Sequence, residues 1–365
     1  MVCIADMDLG RDLLKHFDGA LSVPPLPFQR FVPGGFIRYM GPGPHRARSA
    51  SLRAAFAPEV VAAAEANLAT LIKTRLAGLS RRPSERPRDR IAPLVTEAFA
   101  HLFFGFPPGS ELTTRLTADL RKLDYRRALW NTPGMVRRAV ASAQQTVLSC
   151  PPAGFLGAAV AAGADISRDP GLLVNLLYVL NTASGDVAGL LSWILKRLAD
   201  NPEWLARLRT APDPDALAER VVRETLRISQ SEYIARSADA DIEIGGYVIP
   251  RGYLVRVCIR EIHRSAAAFP DPMRFDPDRF LESPSPARYA PLGASRILCL
   301  GEGITMSLGR LFALELARGY DLEVLADGPE ELGPFHWQPS GRFRVRLTPR
   351  PAADAPRAEA LRTPA

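Results

Sequence analysis

Cysteine is scarce and scattered. The 365 residues hold four, Cys3, Cys150, Cys258 and Cys299, and no two form a Cys-x-x-Cys pair. That spacing argues against structural zinc and against a disulfide framework. Each cysteine is expected to act as a small buried hydrophobe unless its surroundings say otherwise. Long apolar runs are missing too: none approaches the ~20 residues needed to cross a bilayer. The opening Met1-Val2-Cys3-Ile4-Ala5-Asp6 lacks the charged and apolar regions of a signal peptide, so a cytoplasmic protein with no membrane attachment is expected. Cys/His finger spacing and a basic stripe interleaved with aromatics are both absent, which sets nucleic acid aside as a partner. No internal repeat occurs.

What is present is ordinary for a globular chain, with 47% hydrophobic and 23% charged residues. The length suffices for one large core or two moderate ones. The net charge of +7 fits a solvated surface or a docking face for an acidic partner. Helical spacing of apolar residues marks Pro58 to Leu79 and Ile91 to Phe104. Leu172 to Leu198 is apolar around its whole circumference and is expected to run through the interior, ending at Asn201-Pro202. Asp215 to Ile228 and Gly303 to Gly319 are further helices. Ile234 to Val257 alternates and carries glycine turns, which predicts short strands and hairpins; Arg342 to Leu347 alternates like a last strand. The fold class is therefore mostly α with a small β portion, α+β, and a tail over 351–365 rich in Ala, Pro and Arg is expected to be disordered.

One cysteine has telling surroundings. Leu292-Gly293-Ala294-Ser295-Arg296-Ile297-Leu298-Cys299-Leu300-Gly301 runs into an apolar helix. A cysteine there sits near the positive end of the helix dipole, and unpaired N–H groups can bond its sulfur, so the thiolate is expected to be favoured over the thiol. Gly293 and Gly301 allow the backbone to fold closely around a ligand. Upstream, Glu224-Thr225-Leu226-Arg227 places opposite charges three apart on a helix face. Phe275-Asp276-Pro277-Asp278-Arg279-Phe280 adds a second arginine. Glu224, Arg227 and Arg279 can form a buried network that fixes one local geometry at the expense of desolvation.

Glu-x-x-Arg, then Phe-x-Pro-x-Arg-Phe, then a glycine-bearing loop ending in Cys-x-Gly resembles the cytochrome P450 family. So do Ile262-His263-Arg264 through Pro272, Leu190-Leu191-Ser192-Trp193 through Asn201-Pro202, and Gly43-Pro44-His45-Arg46 through Pro58. The resemblance implies one cytochrome P450-like domain over residues 1–350, without that family's first helix and first strand. It implies haem b, iron protoporphyrin IX, lying between the long central helix and the cysteine loop, with Cys299 as axial ligand. Glu224, Arg227 and Arg279 would hold the core behind the haem, and His45, Arg236 and Arg296 would face its propionates.

Departures from the family pattern are Leu292 for phenylalanine, Ser295 for glycine, Ile297 for a basic residue and Ser49 for arginine. The central helix departs most. The family's acid and threonine fall at Gly185 and Asp186, or one residue on at Asp186 and Val187, so the pair is missing in either register. Thr182, Ser184 and Asp186 are the candidate catalytic groups that remain. The implied function is a monooxygenase acting on a small apolar molecule of specialised metabolism, fed electrons by a ferredoxin or flavin reductase. Non-standard chemistry (rearrangement, dehydration, coupling or peroxide-driven oxidation) would tolerate loss of the pair. A non-catalytic relative that activates a partner enzyme is a third possibility, one that the presence of Cys299 disfavours. The pocket is expected from Pro24 to Met40, Tyr125 to Ser149, Val179 to Asp186 and Gln230 to Ile234.

Overall fold

The chain's use of proline explains where many of its helices begin. Proline lacks the N–H that a first helical turn leaves unpaired and presets the helical φ. Pro42, Pro58, Pro87, Pro170, Pro202 and Pro214 each open a helix. In this computed structural model residues 1–24, 35–122, 133–230, 232–282, 288–294, 297–333 and 336–351 are described. The 351–365 tail falls almost wholly outside them, as do parts of the expected pocket segments.

The helices are α1 (Met7–His16), α2 (Pro42–Ala55), α3 (Pro58–Ser80), α4 (Pro87–Phe104), α5 (Glu111–Lys122), α6 (Pro133–Leu148), α7 (Gly154–Ala161), α8 (Pro170–Asp200), α9 (Pro202–Thr210), α10 (Pro214–Thr225), α11 (Ile259–His263) and α12 (Glu302–Gly319). A four-stranded sheet has β1 (Val2–Ile4) at one edge, then β6 (Leu254–Val257), β3 (Ile234–Ala238) and β2 (Leu21–Ser22). β1 runs parallel to β6, and the other pairs are antiparallel. Two-stranded hairpins complete the β portion: β4 (Ile242–Ile244) with β5 (Tyr247–Ile249), β7 (Gly293–Ala294) with β8 (Ile297–Leu298), and β10 (Glu331–Leu332) with β11 (Trp337–Gln338). β9 (Tyr320–Ala326) pairs with β12 (Arg344–Pro349). The architecture is mostly helical with small sheets, as the hydrophobic periodicity implies.

The larger hydrophobic core joins α3, α4, α8, α10 and α12, and a smaller one seats α1 against the four-stranded sheet. α8 is the spine, 31 residues long and so about 46 Å from end to end. It is buried from Leu172 to Tyr178 and again from Val187 to Leu195, where Trp193 is wholly enclosed. Between these stretches, Asn181 to Asp186 is accessible. The helix is thus packed at both ends and open in the middle, unlike a surface helix, which is open along one whole face.

The helix expected over Asp215 to Ile228 is α-helical only to Thr225 and then widens into a π turn over Leu226–Gln230. An extra residue per turn is a tertiary adjustment, often found at functional sites, and periodicity does not announce it. Here it carries Arg227 into the interior.

Candidate active site

The cysteine loop is built as a small hairpin. Gly293 pairs with Leu298 and Ala294 with Ile297, and the Cys299 N–H donates to the Leu292 carbonyl at 2.8 Å. Gly293 has φ +104, a conformation in which any side chain is strained. Gly301 stands beside the sulfur, and a β-carbon there would lie 3.8 Å from Cys299 Sγ. α12 begins at Glu302, directly after it.

Cys299 is exposed, yet burial pushes its thiol up to about 11, against an opposing Gly301 N–H bond to the sulfur. Both hold if the sulfur faces an opening inside the fold. One N–H bond and a helix start do not outweigh desolvation, to which the charges of Asp186 and Glu302 add. A metal would have to displace the proton itself.

The charge of Asp186 adds to the rise of the Cys299 thiol, so the open stretch of α8 and the sulfur lie within electrostatic reach of each other. Within the stretch, the Thr182 hydroxyl donates to Tyr178 O at 2.9 Å and Ser184 to Leu180 O at 2.7 Å, so both satisfy carbonyls of their own helix. Asp186 behaves differently. Its Oδ1 lies 2.7 Å from Nε2 of His336, a residue of the β10–β11 hairpin. Burial disfavours the imidazolium, but the charge and hydrogen bond of Asp186, with the charge of Glu232, outweigh burial and the opposing Arg88, and His336 is raised above its ordinary value.

Behind the cysteine loop the structure brings Glu224, Arg227 and Arg279 together. Glu224 and Arg227 are fully buried. Arg227 grips both carboxylate oxygens at 2.7 Å and donates to His263 O at 2.6 Å. Arg279 reaches Glu224 Oε1 at 3.2 Å and Pro270 O at 2.6 Å, and the Asp276 N–H donates to the same carboxylate at 2.9 Å. Every charge is paired and hydrogen-bonded, the condition under which buried ions are tolerated.

His45 stands on α2, its Nδ1 3.3 Å from Ser49 Oγ. Arg236 is buried on β3 and donates to Ala235 O at 2.8 Å. Arg296 and Ser295 lie outside the described residues. Sequence reasoning missed His336 and Glu330. Glu330 receives Arg197 at 3.2 Å, Arg260 at 2.5 Å and Arg264 at 3.2 Å. With Trp193 Nε1 donating to Trp337 O at 2.9 Å and Arg260 stacked over the Trp337 ring at 4.2 Å, it clamps the His336 hairpin to the body. In the sequence Glu330 is one of two adjacent acids in Gly328-Pro329-Glu330-Glu331, far from the arginines it meets, and nothing singles it out.

Residues 216–339 match the family model described as cytochrome P450. Abscisic acid 8'-hydroxylase CYP707A1 of Solanum lycopersicum is 30% identical over 213 residues, 53% of this chain and 44% of that protein. Abscisic acid 8'-hydroxylase 2 of Arabidopsis thaliana is 32% identical over 196 residues, 48% and 40% respectively. The matches thus span less than half the length of these relatives. In fold, retinoic acid-bound cyanobacterial CYP120A1 has a TM-score of 0.78 at 20% identity, over 95% of this chain and 89% of that one. A zebra fish cytochrome P450 with abiraterone has a TM-score of 0.76 at 19% identity, over 95% and 93%. The resemblance is therefore shown, in sequence over the cysteine-bearing part and in fold over nearly the whole chain.

The prosthetic group of this family is haem b, iron protoporphyrin IX with a cysteine thiolate as axial ligand. The residues present fit it. A soft sulfur donor stands in an exposed residue just ahead of α12, a hairpin whose Gly293 backbone only glycine adopts without strain holds it in place, and the accessible stretch Asn181–Asp186 of the spine helix contributes a carboxylate whose charge reaches it.

Proposed function

We propose that this chain, a cytochrome P450 in sequence over residues 216–339 and in fold over nearly its whole length, is a haem-thiolate monooxygenase oxidising a small apolar organic molecule. The observation that carries this is Cys299 at the end of the glycine hairpin just ahead of α12, an exposed residue with a desolvated thiol that the charge of Asp186 on α8 reaches. Curated relatives named for abscisic acid 8'-hydroxylation support a small organic substrate.

When bound, the haem supplies dioxygen activation, which thiolate ligation promotes by donating electron density. The chain's own residues divide the remaining work. Cys299 would hold the iron, and the Gly301 N–H donates to its sulfur and would tune it. Glu224, Arg227 and Arg279 fix the irregular segment behind the cysteine loop, and buried Arg236 with His45 offers cationic or donor groups to the propionates. The central helix presents Ala183 and Val179 as apolar wall and Asp186 as its acid. Arg296 completes the proposed cofactor contacts. The proposal includes one domain over residues 1–350, cytoplasmic residence, and electrons from a soluble ferredoxin or flavin reductase. Among the described residues no helix is long and apolar enough to cross a membrane.

The test is the reduced, carbon monoxide-bound absorption spectrum of the purified protein. A thiolate-type Soret band supports the proposal, and Cys299→His should abolish it. A colourless protein that stays so when hemin is supplied overturns it. The helix-satisfied Thr182 and Ser184 hydroxyls favour a second reading, a haem-thiolate enzyme with chemistry other than oxygen insertion. Turnover without both a reductant and oxygen would select that second reading.

A further inference from the structure

Asp186 and His336 meet from positions 150 residues apart in the chain. Three features set their contact apart from an ordinary surface pair. It lies at the one opening in the spine helix, where Asp186 is half exposed and His336 a quarter exposed. The Asp186 charge reaches the Cys299 sulfur. And the histidine is not on a loose loop: Glu330, Trp193 and Arg260 all clamp its hairpin to the body. A contact so firmly placed at the reaction centre invites a role beyond tying two elements together.

We propose that Asp186 and His336 work as one unit, a carboxylate–imidazole dyad in which His336 is the positioning residue that aims Asp186 and replenishes its proton. The step balances without electrons from the dyad. The Nε2 proton of the imidazolium passes to Asp186 Oδ1, the carboxyl gives a proton to the acceptor at the reaction centre, and a hydronium ion reaching the half-exposed Asp186 carboxylate returns one through Oδ1 to Nε2, since Nδ1 is buried and keeps its own hydrogen. A hydrogen-bonded pair of this kind holds a transferable proton near neutral pH, where histidine changes charge. The charged groups acting on His336 are Asp186 of α8, Glu232 ahead of β3 and Arg88 of α4. The two carboxylates keep the proton on the ring to higher pH than an isolated histidine would.

The identity of the reaction centre rests on the haem-thiolate proposal, whereas the dyad does not, and the experiment separates them. Histidine-selective NMR on the reduced, carbon monoxide-bound holoenzyme, which is diamagnetic, follows the five histidines in wild type, Asp186→Asn and His336→Gln. The resonance missing in His336→Gln should titrate above the ordinary 6.5 and fall by on the order of one unit in Asp186→Asn. In turnover assays kcat should decline as pH rises through that midpoint. His336→Gln, whose amide still donates to Asp186, should keep its melting temperature and KM but lose on the order of 10²-fold in kcat, together with the pH limb. Wild-type kcat and pH profile in His336→Gln would show a mere strap and overturn the proposal. So would a His336 titration indifferent to Asp186→Asn. Should no thiolate-type spectrum appear, the cofactor reading fails by itself. The titration on the protein as purified then still decides the dyad.

Discussion

Glu224 and Arg227 are wholly enclosed, and two charges taken out of water are unfavourable unless each finds its full set of partners. They do, so removal of one partner is the informative change. Glu224→Ala leaves a buried guanidinium without its anion and should destabilise the protein by about 3–5 kcal/mol, measured as a drop in the denaturant midpoint and loss of haem on gel filtration. Arg227→Lys should fare little better, because an ammonium cannot reach both carboxylate oxygens and His263 O together. His263 adds a pH dependence. Burial, then the neighbouring Arg227 charge, pushes it down to about 3, well below an unfolded histidine. Between about pH 6.5 and 3 the unfolded chain binds the extra proton, so stability is lost as pH falls through that window, by about 1.4 kcal/mol per unit for this group. A urea midpoint flat from pH 6.5 to 4 would contradict this. The charged triad was legible because its members belong to two compact patterns, Glu-x-x-Arg and Phe-x-Pro-x-Arg-Phe. The state of the Cys299 thiol was not, since desolvation depends on every atom that the fold gathers round it. The same holds for Cys258, pushed up to about 11 by burial and by Cys3, a neighbour 255 residues away in sequence that β1–β6 pairing brings close.

Elements show the same division between local and assembled information. The all-round apolar character of Leu172 to Leu198 placed α8 in the interior, and the proline-led helix starts follow from backbone chemistry alone. The opening at Asn181–Asp186 coincides with the polar run Asn-Thr-Ala-Ser-Gly-Asp, whereas the π turn at Leu226–Gln230 comes from packing, and no period in the sequence marks it. Within the opening, Thr182→Val and Ser184→Ala remove hydroxyls that already satisfy their own helix. Each should alter turnover by less than about tenfold, while Asp186→Asn alters it far more; steady-state kcat values for the three variants check this ordering. The β10–β11 hairpin has little apolar surface of its own and depends on Glu330. Burial alone would raise that carboxyl, but Arg264, Arg260 and Arg197 hold it below its ordinary value. Glu330→Gln should destabilise by about 1–3 kcal/mol, with faster hydrogen exchange and proteolytic nicking confined to residues near Trp337. The Glu330 contribution is present above the usual carboxylate range and is lost as pH falls below it.

At the scale of the molecule, the net charge of +7 bears on how electrons arrive. Arg11 and Lys15 of α1 and Arg223 of α10 line a cavity of about 610 Å³ with Leu292, Gly293 and Leu298 of the cysteine loop. Three basic side chains and one acid, Glu302, thus stand beside the loop that carries Cys299, a net positive setting that suits an acidic donor. Charge complementarity of this sort speeds encounter more than it tightens binding, and it is screened over about 8 Å at physiological ionic strength. On the proposed function, reduction by an acidic ferredoxin should therefore slow as salt rises. An Arg11→Glu, Lys15→Glu double variant should slow it further at low salt, while the carbon monoxide-bound spectrum and the melting temperature stay as in wild type. Stopped-flow reduction at 20 and 300 mM salt distinguishes the outcomes. A rate indifferent to both salt and charge reversal would mean that the basic excess merely solvates the surface and that the electron donor docks elsewhere.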